Sequence, residues 1–291
     1  MKTLLVTFTV LALSFFSFAG TPPQRANDSE PDANTLLRQQ KLDVVNALLR
    51  SPQATTDCSF TFTSGLNNNT LEYCVTSNGN IAELQTPIRH PLISVDDRSE
   101  GYAICDVSGS NRVAYSDFGL FGDSGNWLPP TTVSQNATSV RIARTTNDGV
   151  WTLTQTISQI ATNASVRIVM TLRNNTVVPR EAFLMRYADV DADAFLQNNF
   201  DGTTGSAFAW NSISSEAAAP VGLLLQNIGT LNGIGSEGFA QNTFFPPNPC
   251  NPGAHFAPTT LLSTDGSLVL LYDMVVPRGG AQSVTLTYKG L

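Results

Sequence analysis

The sequence predicts an all-β protein, a large antiparallel β-sandwich with one short helix near its N-terminus. From residue 58 onward apolar and polar residues alternate, as in Ser59–Thr63 and Val166–Leu172, which is the pattern of half-buried strands. Turn signals separate these runs, for example Ser77–Asn80 and Asn147–Gly149, and such signals favour hairpins. After residue 52 no helical pattern interrupts them. Parallel βαβ folds are thereby excluded, because their crossovers need helices.

The rest of the chain continues this pattern to its last residues. Further turn signals lie at Arg173–Thr176 and Thr264–Gly266, and Ser283–Tyr288 alternates again. We count about a dozen strands, which we assign to a single domain over residues 58–291. In length and strand number the chain resembles the galactose-mutarotase-like supersandwich, a resemblance that rests on size and on no motif.

The first 19 residues have the layout of a secretory signal peptide. Lys2 gives a basic start, an apolar run extends from Leu4 to Phe18, and the small residues Ser17 and Ala19 precede a cleavage position. The apolar run is too short to span a bilayer and ends at a small-residue cleavage site, as signal peptides do. We therefore expect cleavage near Ala19 and a mature protein that is secreted, either extracellular or periplasmic.

Residues 20–57 are predicted to form a polar leader and an amphipathic helix that runs to about Arg50. Four apolar residues share one face at helical spacing: Leu37, Val44, Val45 and Leu48. Lys41 and its polar neighbours are expected on the other face. Such a helix usually packs over an edge or end of a sheet; a partner-binding or propeptide segment is the alternative.

The chain has four cysteines, Cys58, Cys74, Cys105 and Cys250. An even number in an exported chain favours two disulfides. We favour Cys58–Cys74, because both residues lie in strand-like segments and residues 64–70 between them have the composition of a hairpin turn. Cys105–Cys250 is then the second bond. A zinc site of four thiolates is the alternative, although no Cys-x-x-Cys spacing is present.

Charge and composition exclude some classes of partner. The formal net charge is −7, and the 16 basic residues form no cluster, so a nucleic-acid partner is not expected. After the signal peptide no apolar run reaches the ~20 residues of a transmembrane helix. Charged residues make up 13% of the chain, well below the usual ~25%. The sequence leaves the oligomeric state open.

A candidate metal site lies at Asp189, Asp191 and Asp193, with Asp201 shortly after. On a strand the first three would point to one side, about 7 Å apart, and their charges would repel. Ca²⁺ would compensate them, because it binds several carboxylate oxygens. The Asp-x-Asp-x-Asp start resembles an EF-hand-type calcium loop, but the glycine and glutamate of that loop are missing. The alternatives are a solvated acidic loop after a strand that ends at Asp189, and a set of catalytic carboxylates.

Trp127 is the candidate ligand-binding aromatic residue. It follows a Gly-rich turn and precedes Leu128-Pro129-Pro130, a setting in which an indole can be exposed and can stack on a sugar face; core packing is the alternative. We therefore predict a secreted, non-catalytic protein that binds carbohydrate or another cell-surface polymer. Two other classes stay open. One is a secreted polysaccharide hydrolase with paired carboxylates, and the other is a structural envelope protein with an open sheet edge or a flat apolar patch.

Overall fold

The fold was analysed in a computed structural model. It describes residues 33–48, 57–64, 71–93, 99–160, 162–211, 221–230, 234–251 and 260–291. The predicted signal peptide and the following leader up to residue 32 lie outside the described residues. In the part of the chain that is described, no helix is both long enough and apolar enough to cross a membrane.

One α-helix and eighteen strands make up the regular structure of the described residues. The helix α1 spans Ala33–Leu48. The strands are β1 (Cys58–Ser64), β2 (Leu71–Thr76), β3 (Ile81–Gln85), β4 (Pro91–Ile93), β5 (Glu100–Asp106), β6 (Val113–Asp117), β7 (Thr131–Gln135), β8 (Ser139–Thr145), β9 (Trp151–Ile160), β10 (Ser165–Asn174), β11 (Arg180–Asp189), β12 (Asn198–Thr203), β13 (Ser206–Asn211), β14 (Val221–Thr230), β15 (Gly235–Gln241), β16 (Leu261–Thr264), β17 (Ser267–Val276) and β18 (Ala281–Gly290). Two short 3-10 helices lie at Gly119–Phe121 and Ala192–Ala194. The predicted all-β class with one short helix is confirmed.

The strands form three sheets in which neighbouring described strands are antiparallel. The largest has the order β16-β12-β13-β14-β18-β10-β9-β8-β7, the second β15-β17-β11-β5-β6, and the third β1-β2-β3-β4. Long, regular registers hold the centre together, such as β10 with β9 and β18, and β11 with β17. The prediction of a large antiparallel β-sandwich is therefore confirmed.

The nine-stranded and five-stranded sheets stack on one another, with β12 and β13 of the first against β15 and β17 of the second. In β9 the alternation is visible directly: Trp151, Leu153, Gln155 and Ile157 are buried, and the threonines between them are half-buried. The four-stranded sheet adds Phe62 and Tyr73 to the same core. Full burial of one such side chain contributes roughly 1.5–3 kcal/mol, so this common core is the main source of stability.

The turn signals have two different outcomes. Ser77–Asn80 and Asn147–Gly149 connect adjacent strands of one sheet, so the predicted hairpins are confirmed there. Arg173–Thr176 leads from β10 in the nine-stranded sheet to β11 in the five-stranded sheet, and Thr264–Gly266 leads from β16 to β17. The prediction of a hairpin at these two places is therefore wrong. Turn residues set the local backbone angles, and those angles are compatible with a crossing between layers.

Both predicted disulfides are confirmed. Cys58–Cys74 joins β1 to β2, and Cys105–Cys250 joins β5 to the segment after β15. The described residues contain no free cysteine, so no thiolate is left for the alternative zinc site. The turn expected within residues 64–70 lies, apart from its first residue, outside the described residues.

The tyrosines predict how the fold responds to alkali. Burial raises the pKa of five of the six tyrosines above the ordinary value: Tyr73, Tyr102, Tyr115, Tyr272 and Tyr288. In the unfolded chain these phenols ionise near pH ~10, whereas in the folded chain they keep their protons. Above about pH 10 the folded state therefore binds more protons, and its stability falls as the pH rises.

We expect the free energy of unfolding to be insensitive to these phenols below about pH 9 and to fall steeply above about pH 10. The measurement is an alkaline titration that follows tyrosinate absorbance and β-sheet circular dichroism together. The two signals should change in one transition. Ionisation of most tyrosines in a protein that keeps its sheet signal would contradict the prediction.

Candidate functional site

Three carboxylates meet where β11 ends. Asp189 is the last residue of β11, and Asp191 lies two residues after it. Both are buried. Asp265 lies in the connection between β16 and β17, and it comes close because Ser267 pairs with Asp189 in the β11–β17 ladder. One carboxylate oxygen from each of the three lies within 4.8 Å of the others. We call Asp189, Asp191 and Asp265 the carboxylate cluster.

The ammonium group of Lys41, on α1, lies among these carboxylates. Its Nζ is 2.8 Å from Asp189 Oδ2 and 3.0 Å from Asp191 Oδ2. Asp265 Oδ1 is 3.5 Å from the same nitrogen. The Lys41 side chain is only 5% exposed, and a buried charge of this kind is tolerated only when it is paired. The ammonium therefore offsets part of the repulsion within the carboxylate cluster.

The position of α1 corrects the prediction for Lys41. Lys41 was expected on the polar face of the helix, yet it is buried, and this expectation is wrong. Among the α1 side chains that the structure describes, Lys41 is the only buried one, and Val44 is half-buried. Spacings of three and four residues place side chains on one helix face, so Lys41 shares the face of Val44. The spacing contained this signal, although the charge of the residue hid it.

Three phenylalanine rings pack on one another, and one of them adjoins the ammonium; we call Phe121, Phe244 and Phe245 the phenylalanine group. Lys41 Nζ lies 5.2 Å from the centroid of the Phe244 ring, within cation–π range. The rings of Phe244 and Phe245 stack at 4.4 Å, and Phe121 lies 5.4 Å from Phe245. Phe245 is 48% exposed. The Tyr187 hydroxyl donates a hydrogen bond to the Phe244 carbonyl, which fixes this segment to β11.

A fourth acidic residue of the region is held separately. Asp193 lies in the 3-10 helix Ala192–Ala194 with φ at 61°, a conformation that aspartate tolerates better than most residues. Its Oδ1 lies 2.8 Å from His90 Nδ1. This contact ties the 3-10 helix to β4, which follows His90 directly. Asp193 thus braces the loop beside the carboxylate cluster.

The predicted calcium ligands are only partly brought together. Asp189 and Asp191 lie in the carboxylate cluster, whereas Asp193 pairs with His90 and Asp201 lies in β12 opposite Phe208. The idea of three aspartates on one strand face is wrong, because β11 ends at Asp189. Ca²⁺ takes 6–8 oxygen ligands, and the Lys41 ammonium occupies the centre of the cluster. The calcium role stays a prediction, and it would require Lys41 to leave.

Trp127 is buried, so the exposed indole that the sequence suggested is not found. It is 8% exposed, and its ring packs edge-on against Tyr102 and Tyr115. Its Nε1 donates a hydrogen bond to the Ser116 carbonyl over 3.2 Å, and the Arg144 guanidinium lies 5.0 Å from its ring centroid. A role in ligand binding stays a prediction that this burial does not support.

A second group of charges lies in the core and is closed to ligands. Arg186 and Glu100 are fully buried, and Arg186 Nη2 donates to Glu100 Oε2 over 2.9 Å. The Tyr288 hydroxyl donates to Glu100 Oε1 over 2.7 Å, and the Ile81 amide donates to Oε2 over 2.6 Å. Burial raises the pKa of Glu100, although the charge of Arg186 opposes that shift. All four residues are fully buried, so this group lies inside the core.

Comparisons with known proteins give the fold and no family. No family model matches the chain, and no curated protein matches it. A bacterial glucoamylase in complex with acarbose superposes with a TM-score of 0.51 at 11% identity, over 81% of this chain and 32% of that chain. A putative aldose 1-epimerase from Escherichia coli K12 gives 0.47 at 10% identity, over 80% and 99% of the two chains. A galactose mutarotase-like protein from Lactobacillus casei gives 0.46 at 8% identity, over 80% and 100%. The likeness to the glucoamylase shows a shared β-sandwich fold.

Proposed function

We propose that the protein is a secreted, non-catalytic β-sandwich protein that binds carbohydrate between the carboxylate cluster and the phenylalanine group. The observation that carries this proposal is the half-exposed ring of Phe245, stacked on Phe244 beside the carboxylates. A sugar ring has an apolar face that packs on aromatic rings and hydroxyl groups that donate to carboxylates. Apolar surface with a few convergent polar groups is the usual composition of a ligand site.

Two further observations support the proposal. The two disulfides agree with an oxidising, exported environment, as does the signal-peptide layout of the first 19 residues. The bacterial glucoamylase that shares the fold was described in complex with acarbose, which agrees with a carbohydrate ligand.

The test is Phe245→Ala, measured by calorimetric titration with a panel of oligosaccharides. We expect binding to weaken about tenfold, which corresponds to ~1.4 kcal/mol and to the loss of one stacking surface. The thermal unfolding temperature should change little, because the Phe245 ring is half exposed.

The matched control is Phe208→Ala. Phe208 also carries a partly exposed ring, stacked on Trp210 at 4.9 Å, but it lies on β13. This variant should bind as the wild type does. Loss of binding in Phe208→Ala with normal binding in Phe245→Ala would place the ligand on β13 and overturn the proposed site.

A polysaccharide hydrolase is the second candidate, because retaining glycosidases hold two carboxyl groups about 5 to 5.5 Å apart and the carboxylate cluster is similarly close. The Lys41 ammonium lies within 3.5 Å of all three carboxylates, in the space that a glycosidic oxygen would need. Binding is therefore the better-supported function. Release of reducing ends from a bound oligosaccharide, abolished by Asp191→Asn, would decide for the hydrolase.

A further inference from the structure

One face of the nine-stranded sheet is basic over much of its width. The six neighbouring strands β14, β18, β10, β9, β8 and β7 contain no aspartate or glutamate, although the chain has 23 acidic and 16 basic residues. On β10 the side chains of Val166 and Ile168 lie in the core, so the residues that alternate with them face outward. Four cations share this outward face, and we call them the basic stripe: Arg141, Arg167, Arg173 and Lys289.

The strand registers place the four cations on the same side of the sheet. Arg141 lies opposite Thr156, which lies opposite Val169 on β10, and Lys289 lies opposite Ser165 on the same strand. The charges therefore stand at the levels of residues 165, 167, 169 and 173 of β10. Successive charges are about 7, 7 and 14 Å apart along the strand. The basic residues form no cluster in the sequence, but the sheet aligns these four.

The charges of the basic stripe are not neutralised within the protein. Its three arginines are exposed, and Lys289 is half-buried. Within the described ranges of the chain, none of the four forms an ion pair. Arg144 on the inward face of β8, by contrast, pairs with Asp117 and Asp123. Arginines that stabilise the core thus have carboxylate partners, whereas those of the basic stripe are available to a ligand.

Hydroxyl side chains fill the surface between the cations. On β9 the outward residues include three threonines and Ser158, all half-buried, and Thr171 bonds Ser283 over 2.8 Å between β10 and β18. The strands β8, β9, β10 and β18 have only two aromatic residues, Trp151 and Tyr288, and both are buried. This face therefore offers no ring on which a nucleic-acid base could stack. It also lacks the outward Trp, Phe or Leu with which proteins enter a lipid surface.

We propose that the basic stripe binds an acidic polysaccharide, a polymer of sugars that carries carboxylate or sulfate groups. Arginine donates paired hydrogen bonds to such anions, and the hydroxyl side chains between the arginines suit the hydroxyl groups of the sugar units. Duplex DNA has one charge per ~1.7 Å, which is far denser than the steps of the basic stripe. Acidic groups that recur once in every one or two sugar units are spaced more widely and match these steps better. The surface uses no residue of the carboxylate cluster or the phenylalanine group, so this inference is independent of the proposed function.

The experiment compares the full mature chain with a stripe variant in calorimetric titrations with dextran sulfate, polygalacturonate and neutral dextran. The stripe variant carries Arg141→Gln, Arg167→Gln and Arg173→Gln. We expect the wild type to bind at least one of the two polyanions more tightly than neutral dextran. The stripe variant should bind that polyanion about tenfold more weakly, because three exposed ion pairs of small individual strength are lost. Added salt should weaken binding by the wild type, since it screens exposed charges.

The matched control removes the same number of charges from exposed arginines elsewhere, with Arg38→Gln, Arg89→Gln and Arg112→Gln. Both triple variants should fold as the wild type does, because every substituted side chain is exposed, and circular dichroism checks this. The control should bind the polyanion as the wild type does. An equal loss in the two variants would show that net charge alone drives binding, and the inference would be overturned. Loss of polyanion binding in Phe245→Ala, with normal binding by the stripe variant, would overturn it as well.

The two polyanions identify the anionic group, and two further probes test the class of partner. Binding of dextran sulfate alone would assign sulfate groups to the partner, and binding of polygalacturonate alone would assign carboxylates; either result supports the inference when the stripe variant loses it. Duplex DNA or phosphatidylserine vesicles that bind more tightly than both polyanions would overturn it. If neither polyanion binds better than neutral dextran, the inference is overturned, while the proposed function is still decided by neutral oligosaccharides and Phe245→Ala.

Discussion

Replacement of Arg186 by methionine is expected to lower the free energy of unfolding by about 3–5 kcal/mol, the usual loss when one partner of a buried ion pair is removed. Arg186 and Glu100 are both fully buried, and they pair across the neighbouring strands β11 and β5. Methionine fills part of the space of the arginine stem but supplies no charge or donor. The Glu100 carboxylate would then remain in the core with only the Tyr288 hydroxyl and the Ile81 amide as donors.

Urea denaturation measures this loss, and a double variant separates charge from packing. Arg186→Met with Glu100→Gln removes both charges, so we expect it to be more stable than the sum of the two single losses by about 0.5–3 kcal/mol. Arg141→Met, an exposed arginine on β8, is the control and should change stability by no more than about 0.5 kcal/mol. Strictly additive losses would show that Arg186 acts through packing alone.

Much of the architecture was predictable because it depends on local patterns of apolar and polar residues in the sequence. Alternating runs identify strands. The even number of cysteines and their strand context identified Cys58–Cys74, and Cys105–Cys250 followed as the remaining pair. The sequence indicated about a dozen strands, and the described residues contain eighteen, because short ones such as β4 and β16 are too brief to show a period. Which turns cross between sheets was not predictable, since Thr264–Gly266 and Asn147–Gly149 carry the same turn chemistry and differ only in the partners of their strands.

The candidate site was predictable only in part for a related reason. Asp189 and Asp191 are conspicuous in the sequence, but Asp265 reaches them only through the register of β11 with β17, which no local pattern encodes. Lys41 could have been found from its spacing relative to Leu37 and Val44. The burial of Trp127 arises from rings that are distant in sequence, and its Gly-rich, Pro-rich flanks indicate the opposite.

Removal of the Cys105–Cys250 disulfide is expected to have the second large effect. The bond closes a loop with a sequence separation of 145 residues, against 16 for Cys58–Cys74. On the chain-entropy model a loop of ~100 residues is stabilised by about 4.7 kcal/mol and one of ~15 residues by about 3 kcal/mol. We therefore expect the alanine double variant at 105 and 250 to lose about 5 kcal/mol, and the one at 58 and 74 about 3 kcal/mol.

The two double variants should also differ in ligand binding, which makes the comparison more informative than stability alone. Cys250 follows Phe244 and Phe245 by a few residues, and Arg112 Nη1 donates a hydrogen bond to its carbonyl over 2.6 Å. The disulfide thus fastens the segment that carries Phe244 and Phe245 to β5. Calorimetric titration should show weakened oligosaccharide binding in the 105/250 variant under conditions where it is still folded, and unchanged binding in the 58/74 variant. Equal binding by both folded variants would mean that other contacts fix the position of the phenylalanine rings. The hydrogen bond from the Tyr187 hydroxyl to the Phe244 carbonyl is one such contact, and Tyr187→Phe would remove it.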